Sequence, residues 1–342
     1  MTNRDKQNEN KLFLTVDVEC HHLDKRNLYL DGKIGDSYWG LRKILEIGQE
    51  KRIPINFFLD VVEGEKYGDH YVMEIVSLIR TYGQKIYFHI HPSFMKRGGK
   101  PFFWQYSHDE QKALLLDGFE AYERYVGCKC KAMRMGGYAA DNNMYEVLNE
   151  IIEDEIVDLS YLFSYAKCHY MAKKINQLHR NGKIMILPNT RYRCFEFLGM
   201  KKYANLDIAD SNLGEMKRVL KHRGLRYMVC TMHSWNLFKH LLYHPQTLRP
   251  DERNVDKMRK FIDYAQCHGW VFSDFEEPLE IGGEDADINL CDSIKGKISG
   301  WVHTFFRMQR VARVNIKYLK IYTAFYAALL GLAILSFVFL LV

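Results

Sequence analysis

Short apolar runs alternate with helix-period segments from residue 11 to about residue 275. Leu12-Phe13-Leu14-Thr15-Val16 carries no charge until Asp17, and the pattern predicts a strand over 11–18. Residues 20–36 read as loop, with turn signals at Asp31-Gly32 and Gly35-Asp36. Trp39, Leu41, Ile44, Leu45 and Ile47 then recur at helical spacing. Pro54 opens a second strand over 55–59, and Tyr71, Met73, Ile75, Val76 and Ile79 predict a helix stopped by Gly83. Ile86-Tyr87-Phe88-His89-Ile90 is a third strand, closed by Pro92. Ser107-His108-Asp109-Glu110 is a capping-box pattern that opens a long helix to about Val126. Further strands are predicted at 131–135, 156–159, 184–187, 227–232 and 270–272. Two more helices run through Met144, Val147, Leu148 and Ile151, which Asp141 can cap, and from Val255 to Cys267.

This alternation predicts α/β architecture with a mostly parallel sheet, and the number of units favours a (β/α) barrel of about seven strands. In such a barrel the active groups sit at the C-terminal strand ends. Asp17, Glu19, His89, His91, Arg134, Asp158 and His233 all lie at or just past predicted strand ends. Side chains two apart on a strand share a face, so Asp17 pairs with Glu19 and His89 with His91. Two carboxylates and two imidazoles on apolar strands predict a metal-dependent hydrolase.

Beyond this body the pattern changes. Residues 286–320 are expected to be a linker followed by a basic amphipathic helix: Phe305, Ala312, Ile316 and Leu319 keep a heptad-like spacing while Arg307, Arg310, Arg313, Lys317 and Lys320 take another face. Residues 321–342 carry no charge and as a helix would reach about 33 Å, enough for a hydrocarbon core of about 30 Å. That predicts a single transmembrane tail anchor, with the basic flank placing the body, 11–285, on the cytoplasmic face. The formal net charge is +6, five of it in 301–320, so the remainder is nearly neutral and nucleic-acid binding is not expected. Seven prolines and no low-complexity run argue against disorder, and the eight cysteines read as reduced thiols, including the Cys128/Cys130 pair.

The motifs together resemble the polysaccharide deacetylases (the NodB-homology group, carbohydrate esterase family 4), in a branch with Asp-x-Glu and His-x-His motifs. The resemblance covers about 11–275. It is carried by Thr-Val-Asp17-Val-Glu19, Pro54-Ile-Asn-Phe57-Phe58, His89-Ile-His91-Pro92, Arg134-Met-Gly136-Gly137-Tyr138, Asp158-Leu-Ser160 and Met232-His233-Ser234-Trp235, in that order. It implies a distorted barrel and metal-dependent removal of an N- or O-acetyl group from a sugar. It implies Asp17 as general base, Glu19, His89 and His91 as metal ligands, Arg134 holding the base, and His233 as general acid oriented by Asp158. The sequence departs from the widespread pattern in two places: Tyr87 stands where the earlier histidine of the second motif falls, and Val18 separates the two acids of the first. The division of labour between Asp17 and Glu19 stays open, and His21 and His22 are further candidates for the shell.

The chemistry is coherent in its own terms. One carboxylate can bind a metal while another takes a proton from the attacking water. An arginine keeps the base ionised and aimed, and a histidine protonates the leaving amine. Tyr138 and Trp235 are candidate sugar platforms, and Gly136-Gly137 would let backbone amides approach an oxyanion. Carboxylate plus two imidazoles puts zinc first among divalent ions, with iron, cobalt, nickel and manganese also suited. A lipid-linked or cell-surface polysaccharide precursor is the expected substrate of an anchored enzyme. The rival readings are an amidohydrolase acting on a small non-sugar amide, and a membrane-anchored glycan-binding scaffold with a decayed site.

Overall fold

The computed structural model describes residues 9–314 apart from 21, 173, 198 and 223, together with 320, 321, 323, 324 and 327. Its centre is a nine-stranded, mostly parallel sheet. The strands in chain order are β1 (Asn10–Val18), β2 (Asn56–Asp60), β3 (Lys85–Ile90), β4 (Ala132–Met135), β5 (Ile156–Asp158), β6 (His179–Asn181), β7 (Ile184–Ile186), β10 (Tyr227–His233) and β13 (Trp270–Phe272). The remaining labels belong to small antiparallel pieces: β8 (Arg191–Phe197) with β9 (Met200–Asn205), and the hairpin β11 (Phe238–Leu241) with β12 (His244–Pro250). The order across the main sheet is β10-β1-β2-β3-β4-β5-β7-β6, with β13 on the N-terminal half of β1. Only the β6–β7 pair is antiparallel.

Both faces of this sheet are buried, which is why its strands read as continuous apolar runs. Alternation sends Leu12, Leu14, Phe57, Leu59, Phe88 and Ile90 outward into the main core. There they meet the helices α1 (Leu41–Lys51), α2 (Asp69–Thr81), α3 (His108–Val126), α4 (Asn142–Ile151), α5 (Leu213–Leu220) and α6 (Glu252–Cys267). The other face turns inward around Phe13, Phe58, Tyr87, Val157, Met185 and Val229, plugged from below by Phe275 and Leu279. Phe13 stacks on Phe275 with ring centroids 4.5 Å apart. The caps expected from sequence are in place: Ser107 and Glu110 form a capping box on α3, and Asp141 accepts from the N–H of Met144 on α4.

The structure departs from three expectations. First, the strand ladder does not close into a barrel. It runs open from β10 to β6, and an irregular segment spans the gap between β7 and β10. There Thr190 Oγ1 accepts from the N–H of Val229 at 2.8 Å, and Leu206 bonds both Thr190 and Thr231 through its backbone. Side-chain and loop hydrogen bonds replace the missing strand pairing, and apolar periodicity does not register them. Second, among the described residues no helix is long and apolar enough to cross a membrane. This overturns the expected transmembrane anchor and the single-pass membrane localisation drawn from it. Most of 321–342 lies outside the described residues. The basic helix is also different: α7 (Ile294–Val314) turns Arg307 into the body, where its side chain is 11% exposed, so that residue is not part of a lipid-facing charge stripe.

Candidate active site and metal centre

The sheet's register assembles the site. Asp17 lies opposite His233 and Phe58, Asp60 opposite His89, and His89 opposite Arg134. Because side chains two apart share a face, the inner row that begins with Phe13, Phe58 and Tyr87 continues upward into Asp17, Asp60, His89, His91 and Arg134. The apolar floor of the curled sheet therefore carries a polar layer at its C-terminal rim.

Glu19, His89 and His91 form a compact donor group, each offering one ligand atom and all of these within 4.8 Å of one another. Glu19 Oε2 is 2.5 Å from His91 Nε2 and 3.3 Å from His89 Nε2. His233 Nε2 stands 3.8 Å from the other oxygen, Oε1. One carboxylate and two imidazole nitrogens suit a first-row divalent metal, zinc among them. His89 supports the fit: it is 1% exposed and, among the described residues, its Nδ1 has no hydrogen-bond partner, so Nε2 is the nitrogen that faces the donor group. Glu19 is aimed through its neighbour. The Cys20 N–H donates to Glu63, and the Tyr67 hydroxyl donates to the Cys20 carbonyl at 2.8 Å. His91 packs flat against Gly136, where an added Cβ would lie 2.5 Å from the ring.

Arg134 is completely buried. It donates to Asp17 Oδ1, to Thr15 Oγ1 at 2.8 Å and to Asn189 Oδ1 at 3.3 Å, and it lies 4.4 Å over the Phe58 ring. Asp17 is thus fixed beside the metal group by a guanidinium that has nowhere else to go. His233 ends β10. Its N–H donates to Asn236 at 2.7 Å, its ring stacks on Trp235 at 4.5 Å, and Trp235 meets Tyr29 edge-on. A cleft of about 650 Å³ opens here, with His233, Trp235, Asp207, Phe238 and Arg249 in its walls. Tyr138 packs over Arg134 at 5.7 Å with a left-handed backbone, φ 56°, and burial pushes its phenol pKa upward.

Asp158 is a correction. Val157 takes the inward position, so alternation turns Asp158 to the outer side of the sheet, away from His233. It accepts from Tyr145 at 2.6 Å and from the Ser160 hydroxyl at 2.5 Å, and burial raises its pKa to about 6. His22 is exposed rather than part of the shell, and His21 lies outside the described residues.

Asp207, which sequence reasoning passed over, shares the cleft with His233. It accepts from the N–H groups of Ala209 and Asp210 at 2.6 and 2.8 Å. Desolvation and Asp210 raise its pKa, and the nearby His233 opposes the rise. Asp60 was missed as well, although it obeys the rule that selected the others: a polar residue at the inner C-terminal end of an apolar strand.

No family model matches the sequence, and no curated protein matches it. Similar solved structures include an inferred polysaccharide deacetylase from Mycobacterium smegmatis, 17% identical, covering 78% of this chain and 88% of that one, with a TM-score of 0.49. A family 4 carbohydrate esterase from Streptomyces lividans is 11% identical, covering 77% and 92%, with a TM-score of 0.41. The peptidoglycan deacetylase PdaC from Bacillus subtilis is 12% identical, covering 78% and 87%, with a TM-score of 0.37. The chain is similar to polysaccharide deacetylases of carbohydrate esterase family 4.

Proposed function

We propose that this chain is a metal-dependent deacetylase that hydrolyses an N- or O-acetyl group on a sugar. The observation that carries it is the meeting, on one rim, of the Glu19–His89–His91 donor group with an arginine-held carboxylate and a histidine at the mouth of a cleft. When bound, a divalent ion would supply a Lewis acid for the acyl oxygen and a water of lowered pKa. Asp17, fixed by Arg134, accepts the proton of the attacking water. His233 stands on the far side of Glu19 and returns a proton to the leaving group, which a leaving nitrogen requires because it cannot depart as an anion and which speeds the departure of a leaving oxygen. Asp207 shares the cleft wall with His233 and is the carboxylate on that side, the position that Asp158 cannot fill. Trp235 offers a sugar ring an aromatic wall beside the imidazole. With no helix among the described residues long and apolar enough to cross a membrane, nothing supports the expected lipid-linked substrate.

The test is acetate release from a panel of acetylated sugars and glycans by the full chain loaded with zinc, cobalt or manganese. Turnover abolished by Asp17→Asn and by His89→Ala with His91→Ala supports the proposal. Activity that survives both substitutions places the chemistry elsewhere.

A further inference from the structure

Neither the proposed reaction nor the metal triad uses Asp60, the last residue of β2. It is completely buried. Leu59 pairs with Val18 and Asp60 with His89, so Asp60 stands on the strand between Glu19, one step past Val18, and His89. It shares the inward face with Phe58. Among the described residues neither of its oxygens has a hydrogen-bond partner. Among the described residues no lysine or arginine pairs with it, and the strongest charges acting on it are those of Glu63 and Glu19, both carboxylates. His89 Nδ1, also buried, lacks a partner too.

A buried carboxylate without a partner is costly, and native interiors seldom keep one without a reason. The peptide N–H groups of Val62 and His91 oppose the rise in its pKa without forming hydrogen bonds to it, and offset only part of that cost. A divalent cation on the neighbouring triad would supply the missing charge. Glu19 alone leaves such an ion at +1, and a second carboxylate brings the site to neutrality. Resting on the metal reading above, we infer that Asp60 is the buried charge partner of the metal site, a second carboxylate between Glu19 and His89 that lies outside the triad's own donor atoms and balances the cation held by Glu19, His89 and His91.

The test is zinc affinity of the full chain by chelator competition, with thermal unfolding of the zinc-free and zinc-loaded protein, for wild type, Asp60→Asn and Asp60→Ser. The expected result is zinc bound about tenfold to a hundredfold more weakly in both variants. The zinc-free variants should unfold at or above the wild-type temperature, because an uncompensated buried carboxylate has gone. Wild-type affinity in either folded variant overturns the inference, as does an equal fall in unfolding temperature with and without zinc, which would mark Asp60 as a cap of the turn at 61–63. If wild type itself binds no zinc, the metal reading fails and the inference falls with it. If wild type binds zinc and the variants match it, the inference alone fails.

Discussion

Arg134 shows how one residue joins the stability of the fold to the chemistry of the site. Its guanidinium is removed from water and holds Asp17, Thr15 and Asn189 at once. Removing one member of such a buried pair leaves the other uncompensated, at about 3–5 kcal/mol. Arg134→Met should therefore abolish acetate release and also lower urea-unfolding stability by roughly that amount. His233→Ala should separate the two effects: the side chain is 33% exposed, so stability should hardly move while turnover falls about 100-fold or more. Equal stability losses in the two variants would show that Arg134 is not the structural clamp described. Gly136 offers a purely steric probe. A methyl there meets the His91 ring at 2.5 Å, so Gly136→Ala should weaken zinc binding, read by chelator competition, with little effect on the unfolding of the zinc-free protein.

At the scale of elements, what the sequence made legible were the units that obey local periodicity. The strands from β1 through β5 were read within a residue or two, as were the capped starts of α3 and α4. The inner-face rule then brought Asp17, Glu19, His89, His91, Arg134 and His233 to one rim. Legibility ended where placement depends on tertiary partners. Asp207 sits between Leu206 and Ile208 in a segment held by an isolated bridge to Thr231 and by the backbone bond of Leu206 to Thr190, a signal no period carries. Asp158 followed a strand as the others did, but on the opposite phase. It fastens α4 to β5 through Tyr145, and this contact has a pH signature. Its folded pKa, about 6, lies above the ordinary 3.8 because of burial. The folded chain thus holds this proton more tightly than the unfolded chain. The associated stability is complete below 3.8 and is lost as pH rises through about 6. Asp158→Asn stays neutral throughout. The stability of wild type relative to this variant should fall between pH 4 and pH 7, as followed by urea unfolding at each pH. A flat difference would contradict the burial-driven shift.

At the scale of the molecule, α7 is tied to the body by a contact that composition alone assigns to a solvent or lipid face. Arg307 donates to Glu215 on α5 at 2.7 Å, to the Tyr192 hydroxyl on β8 at 3.0 Å and to the Asp210 carbonyl at 3.0 Å. Glu215 is 1% exposed, so its charge has been paid for by this arginine and by the N-cap of α5. Asp210 follows Asp207 in the turn that walls the cleft beside His233. The packing of α7 is thereby connected to the geometry of the candidate acid. Arg307→Ala should strand Glu215, destabilise the chain by about 3–5 kcal/mol and expose the segment around 294–314 to limited proteolysis. Arg307→Met combined with Glu215→Leu removes both charges together and should recover much of that loss, since an apolar pair of similar volume replaces a buried ion pair at little cost. If α7 also steadies the Asp207–Asp210 turn, Arg307→Ala should lower turnover more than zinc affinity, because the metal group lies on strands that α7 does not hold. Proteolysis of the single variant unchanged from wild type, or a double variant no more stable than the single one, would show that α7 does not depend on this ion pair.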